Sequence, residues 1–392
     1  MEPEPTALCA AVIRRAPEDF VVEEIPAYEP SGRGEHLLVT FRKRGLTTPD
    51  ALRALARALD VDARGAGAAG MKDRHAVTTQ TASFPFPMAR DAEAALAQLA
   101  GAGVGPGLEI LGAARHDNKL KPGHLIGNRF TLALRDVDAA EAAGLVARLV
   151  EMGRVGVPNA FGSQRFGRDG DNPARALAWL AGRERGPRDK REQRMLFSSL
   201  QSLLFNRVLA RRVASGTWAT VLPGDVAKKH DSGGLFTVPA EGPELDDARA
   251  RAAAGSLSAT GPMFGAKMRW PEGEPAALER EILAAGAGTG EKEDEPLRFE
   301  AWKHLGEGTR RALRLQVGEM DAQVEPGDGD AQRVTVRVRF VLPKGGYATT
   351  VLGRACRVVD ATTREDRGRP PTPNEGGDVE PVDGASDDVQ EP

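Results

Sequence analysis

The chain has 392 residues, 41% of them hydrophobic, and a formal net charge of −3, values ordinary for a globular protein with room for two or three folding units. No run approaches the roughly 20 consecutive apolar residues of a membrane helix, and the segment MEPEPTALCAAV lacks the basic n-region of a secretion signal, so a cytoplasmic protein is expected. Cys9 and Cys356 form no C-x-x-C pair, which signals neither a disulfide framework nor a zinc site; both read as small apolar residues.

Along the chain, Phe20, Val22 and Glu24 alternate with Val21 and Glu23, and after a turn at Ser31 to Gly34 comes the apolar run His36 to Phe41. Together they predict a hairpin-like pair of strands within 17 to 43. Thr48 and Pro49 open a helix with Leu52, Leu55 and Leu59 on one face. A Gly/Ala run at 65 to 70 leads into Met71-Lys72-Asp73-Arg74-His75, and Ala76 to Phe84, rich in Thr and Val, reads as another strand. Asn128 to Arg135 alternates again, an Ala-rich helix follows at about 138 to 151, and a polar, glycine-rich loop begins at Val157. Residues 191 to 214 carry the strongest helical pattern, with Leu196, Leu200, Leu203 or Leu204, and Val208 apolar, and Arg194, Arg207, Arg211 and Arg212 at polar positions.

Segments 239 to 256 and 271 to 296 predict short helices with mobile connections. In 333 to 342, Val334, Val336, Val338 and Phe340 share one strand face while Arg333, Thr335, Arg337 and Arg339 share the other. That arginine face suits either a nucleic-acid platform or a solvated edge. From Ala361 on, nine acids and three arginines give a net of −6, which leaves +3 for residues 1 to 360, a mildly basic body compatible with RNA binding. Residues 361 to 392 hold too few apolar side chains to offset their ordering entropy and are expected to be disordered.

Gly65-Ala66-Gly67-Ala68-Ala69-Gly70 satisfies G-x-G-x-x-G, but it follows a helical segment and precedes a polar turn and a strand, the wrong context for dinucleotide binding. Met71 stands where a P-loop needs its lysine, so no nucleotide cofactor is expected. The six histidines lack ligand spacing, no metal is expected, and no G-x-S-x-G elbow occurs. Gly70 to His75 sets one carboxylate among cationic neighbours. In an extended turn Lys72 and Arg74 point away from Asp73, whose counter-ion then has to come from elsewhere in the fold. A turn-forming or helix-capping aspartate fits the same residues.

Taken in order, Pro17-Glu18-Asp19-Phe20-Val21-Val22, Gly34-Glu35-His36-Leu37-Leu38-Val39, and Ala69-Gly70-Met71-Lys72-Asp73-Arg74-His75-Ala76-Val77-Thr78-Thr79-Gln80 closely resemble the TruD family of tRNA pseudouridine synthases. The likeness continues through Gly127-Asn128-Arg129-Phe130, the block Val157 to Gly167, Gln201-Ser202-Leu203-Leu204-Phe205-Asn206, and Phe340 to Thr350. The resemblance implies an α+β fold: a pseudouridine-synthase catalytic domain of mixed sheet and helices, 1 to 156 with 305 to 360, interrupted by a family-specific α/β domain at 157 to 304.

It further implies Asp73 as the catalytic carboxylate, and Phe20, Asn128, Phe130 and Tyr347 as substrate-contacting positions. Three residues depart from the usual pattern. Ala160 replaces a frequent aromatic, Met71 a more polar residue, and Arg14 a common lysine whose charge it keeps. The implied partner is tRNA and the implied reaction moves uracil from N1 to C5 attachment on C1′, at uridine 13 of the D arm. An ionised carboxylate beside C1′ serves either as nucleophile or as base, with Arg14 the candidate to hold Asp73 ionised. The flipped base would stack on Phe20, Phe130 or Tyr347, and Asn128 would bond its Watson-Crick edge as donor and acceptor.

Overall fold

The structure, a computed structural model, describes residues 9–101, 104–167, 169–287 and 302–362. The chain runs β1 Ala10–Ile13, β2 Phe20–Pro26, β3 His36–Arg44, α1 Thr48–Ala58, β4 Gly67–Ala68, β5 Val77–Pro85, α2 Ala92–Gly101, β6 Leu108–His116, β7 Leu125–Asp138 and α3 Ala139–Val155. It continues through β8 Val157–Pro158, α4 Asn172–Leu180, α5 Lys190–Ala214, β9 Val226–Lys229, β10 Leu235–Thr237, α6 Pro243–Ala253, β11 Leu257–Met263 and α7 Gly273–Ala287. The last elements are β12 Thr309–Ala312, β13 Arg314–Leu315, β14 Gly318–Pro326, β15 Arg333–Pro343, α8 Ala348–Ala355 and β16 Arg357–Asp360. Two compact units result: Val155–Gln316 forms one, and the described residues before and after it form the other.

The discontinuous unit is built on a ten-stranded mixed sheet of order β14-β15-β7-β2-β5-β3-β6, with β1 beside β7, β16 beside β1, and β4 beside β5. Its pairings are antiparallel except β2 with β5 and β1 with β16. Residues paired across strands share a face, and one row across β3, β5, β2, β7 and β15 reads Lys43, Thr78, Val22, Phe130, Phe340. On that same face Leu37, Val39, Phe41, Ala82 and Phe84 meet Ala51, Leu55 and Leu59 of the α1 segment and Ala95 and Leu99 of α2 in a dry core.

Helix α1 starts one residue from the expected cap. Thr47, not Thr48, is the N-cap, its hydroxyl accepting from the Asp50 N–H at 3.2 Å, which leaves the Thr48 hydroxyl for other work described below. Gly67 is required by contact rather than by phosphate: a Cβ there would lie 2.2 Å from the Leu120 carbonyl oxygen. The arginine face of β15 belongs to an interior strand rather than an edge, with Arg333 and Arg339 exposed on it. β15 lies between β14 and β7, Arg337 is held by Glu325 at 2.6 and 2.9 Å, and Thr335 is buried. Cys9 and Cys356 are buried free thiols; burial raises both, Cys356 to about 12.

In the Val155–Gln316 unit a four-stranded antiparallel sheet, β10-β9-β11-β12, packs with α5 and α6. Leu196, Leu200, Leu204 and Val208 of α5 are all buried, and Asp189 caps the helix by accepting from the Arg191 N–H at 2.9 Å. Arg212 is a correction to the polar face expected from the sequence. It is buried and fork-bonded to Asp225 at 2.9 and 3.0 Å, because it lies four residues beyond Val208 on the apolar stripe. A second buried pair joins Arg310 to Glu279 at 2.7 and 2.8 Å. The expected tail from Ala361 begins inside the fold, the Ala361 N–H donating to the Ile13 carbonyl at 3.1 Å, and from 363 it lies outside the described residues. Part of the 271 to 296 segment, from 288, also lies outside them. Among the described residues no helix is long and apolar enough to cross a membrane.

Candidate active site

Asp73 sits in the loop between β4 and β5, on the edge of the sheet face that carries Phe130 and Phe340. One carboxylate oxygen, Oδ1, accepts from the His75 N–H at 2.9 Å and closes a local turn. The other, Oδ2, lies 2.7 Å from Arg14 Nη2, so the carboxylate stabilises its loop and faces a cation at once. Its side chain remains 33% exposed, which leaves an approach for a ligand.

Arg14 reaches this position because the chain turns sharply after β1, with Arg14 itself at φ +56°. A left-handed non-glycine residue costs about 1 kcal/mol or more and persists only when its surroundings fix it. Three contacts do so: Asp73, Asp360 of β16 at 2.5 Å, and the Phe20 ring 4.1 Å from the guanidinium carbon. Phe20 meets Phe130 edge to face at 6.3 Å, and Phe130 stacks on Phe340 at 5.3 Å. Arg14, Asp73, Phe20 and Phe130 therefore form one connected cluster. Phe20 and Phe130 are 4% and 7% exposed, so their rings are mostly packed against protein, whereas Tyr347 at the N-cap of α8 is 40% exposed.

Two lysines that the sequence reading left without a role converge here. Lys43 is fully buried and donates to the Asp73 carbonyl at 2.7 Å and to the Leu46 carbonyl at 2.8 Å, tying β3 to the loop. Burial lowers its amine to about 8, against the opposing pull of Asp73. Lys72 turns away from Asp73, donates to Asn128 Oδ1 at 2.7 Å and pairs with Glu24 at 2.9 Å. Its backbone N–H is held by the Thr48 hydroxyl at 2.9 Å, and that hydroxyl donates to Gln80 at 3.0 Å. The signal for Lys43 and Glu24 is periodicity: each falls on the inward face of a strand, two residues from Phe41 and Val22. Two shallow surface depressions, one lined by Arg175, Arg183 and Glu184, the other by Phe86, Arg90 and Gln98, contain none of this cluster.

The glycine-framed block Val157 to Gly167 and the α5 block Gln201 to Asn206 knit to each other. The Asn206 amide brackets Phe161, accepting from its N–H at 2.9 Å and donating to its carbonyl at 3.0 Å, while Arg311 lies 4.1 Å over the Phe161 ring. Their shared pattern is accounted for by this packing within the Val155–Gln316 unit.

The family profile of tRNA pseudouridine synthase D (TruD) matches residues 6–173 and 189–355. The tRNA pseudouridine synthase D of Anaeromyxobacter sp. (strain Fw109-5) is 46% identical over 349 residues, covering 87% of this chain and 90% of its own. That of Thermus thermophilus is 41% identical over 348 residues, covering 88% of each chain. A crystal structure described as tRNA pseudouridine synthase D from Methanosarcina mazei shares the fold at TM-score 0.74, with 22% identity, over 91% of this chain and 96% of that one. The chain belongs to the tRNA pseudouridine synthase D family and is a pseudouridine synthase, an isomerase.

Proposed function

We propose that this enzyme converts one uridine of tRNA, position 13 in the D arm, into pseudouridine, with Asp73 as the catalytic carboxylate. The observation that carries the assignment is the Asp73 carboxylate, partly exposed and 2.7 Å from the Arg14 guanidinium, on the aromatic side of the sheet. The N1–C1′ bond breaks, the uracil turns, and C1′ joins C5, whose hydrogen leaves as a proton while N1 gains one; atoms and electrons balance with no co-reactant. The Arg14 guanidinium faces the Asp73 carboxylate, the group that attacks C1′ or accepts the C2′ proton.

Extracting the base from its stack costs a few kcal/mol, and stacking on Tyr347, the exposed aromatic of the expected set, offsets about 1–3 kcal/mol. Phe20 and Phe130 then form the packed floor beneath Arg14, and Asn128 contacts the uracil edge. The family-specific inserted domain, 157 to 304, lies within the Val155–Gln316 unit, and the enzyme works in the cytoplasm, where tRNA is processed.

The test is tRNA carrying tritium at C5 of uridine, incubated with the purified chain alone. Release of tritium, mapped to a single D-arm uridine, is expected. Binding without release would make the chain a non-catalytic RNA-binding protein, and release only with added nucleotide would overturn the cofactor-free reaction.

A further inference from the structure

Asn128 lies on β7 directly across from Glu24 on β2 and Leu342 on β15. Lys72 enters between Glu24 and Asn128, with Lys72 and Glu24 side chains only 6% and 3% exposed. Glu24 is itself fixed, its other oxygen accepting from the Thr81 N–H at 3.3 Å. An ammonium has three donors and no acceptor, so the amide atom 2.7 Å from Lys72 has to be the oxygen. Chemistry thus settles which way this side chain points. The opposite arrangement would set an NH2 group against a buried ammonium.

We propose that Lys72, anchored by Glu24, is a positioning residue that locks the Asn128 amide with its oxygen inward, so that Asn128 meets the target base only as a donor and recognises a uracil carbonyl. The proposal rests on the reading above that Asn128 touches the base. Uracil presents two carbonyl acceptors and one N3–H donor; although the amide oxygen has a second lone pair, turning it inward to Lys72 leaves Nδ2 as the atom toward the base, and N3–H finds its acceptor elsewhere. Neutral and charged groups are divided accordingly, the buried ion pair behind the amide and the neutral donor in front of it.

Asn128→Ala and Asn128→Asp separate the possibilities. Aspartate keeps an oxygen for Lys72, so the fold is retained, but it has no N–H to offer. Both variants are expected to lower kcat/KM on tRNA by about tenfold or more, the loss of one buried hydrogen bond, with aspartate the worse because its free oxygen faces the carbonyl. An active Asn128→Asp beside an impaired Asn128→Ala would overturn the donor-only orientation while leaving the contact intact. Full activity of Asn128→Ala would overturn the contact itself, and with it the proposal; activity of Asp73→Asn is a separate readout for the catalytic assignment.

The paired change Lys72→Met with Glu24→Gln, which leaves no lone buried charge, tests the positioning role. It is expected to reduce kcat/KM several-fold beside Asn128 and to cost the Asn128→Ala enzyme nothing more, a coupling that a merely structural lysine does not show. Equal losses in both backgrounds would refute it.

Discussion

Replacing Lys43 by Met removes a buried ammonium that binds two carbonyls while preserving the length of the side chain. Each hydrogen bond from a charged donor contributes about 1.5–3 kcal/mol, so the bonds to Asp73 and Leu46 together supply about 3–6 kcal/mol. Burial opposes them: lowering the amine from 10.5 to about 8 corresponds to about 3 kcal/mol against the charged form. The difference leaves Lys43→Met destabilised by about 1.5 kcal/mol, a fall in Tm of about 3–6 °C for a unit of this size.

The pH dependence separates this from a simple packing defect. Below about pH 8 the native Lys43 carries its charge and bears the full desolvation cost. Between about 8 and 10.5 the unfolded chain still holds a proton that the native chain has released, so the contribution of this residue to stability rises with pH. Denaturant melts of both proteins at several pH values are expected to show the advantage of wild type over Lys43→Met widening from about pH 8 to about pH 10. Parallel curves would refute the assignment of a depressed, buried amine.

At Arg14, Ala removes the cation that Asp73 and Asp360 share. A fall in kcat of about 100-fold is expected, only partly recovered by Lys, whose single ammonium does not reproduce the planar fork; wild-type turnover in Arg14→Ala would contradict it. Arg194 and Arg207 are exposed on α5, and tRNA binding through them predicts that reversing both charges shrinks the log-log salt slope by about 1.4, at about 0.7 per phosphate contact. An unaltered slope would assign both to solvent.

Strong periodicity marked β2, β3, β5, β7, β15, α1, α3 and α5, each with one buried face, and β2, β3, β5, β7 and α1 carry residues around Asp73; the expected hairpin-like pairing of β2 with β3 is not formed, because β5 lies between them. Strand β11 escaped because Leu257–Met263 is buried at every position and contains Ser, Thr, Gly and Pro, so no alternation is written in it. Strand β6 escaped for the opposite reason: at the end of the sheet, its residues are half-buried with little contrast between faces. Arg212 shows a charge following the apolar spacing of its helix because its partner, Asp225, comes from a later loop that periodicity cannot see. Within the site, adjacency in sequence indicated that Lys72 and Arg74 face away from Asp73; the links from Arg14 to Asp360 and from Lys43 to the Asp73 carbonyl join residues 346 and 30 positions apart and exist only once the sheet is folded.

The catalytic claim rests most directly on Asp73→Asn, which keeps an oxygen to accept the His75 N–H and hold the turn but removes the negative charge facing Arg14. Pseudouridine formation in tRNA under single-turnover conditions, with tRNA binding measured on the same preparation, is the decisive measurement. No detectable product is expected, with binding nearly unchanged, because affinity rests on dispersed contacts to phosphate and on stacking. Turnover within a few fold of wild type would contradict the assignment of Asp73, and loss of binding together with folding would make it a structural turn residue.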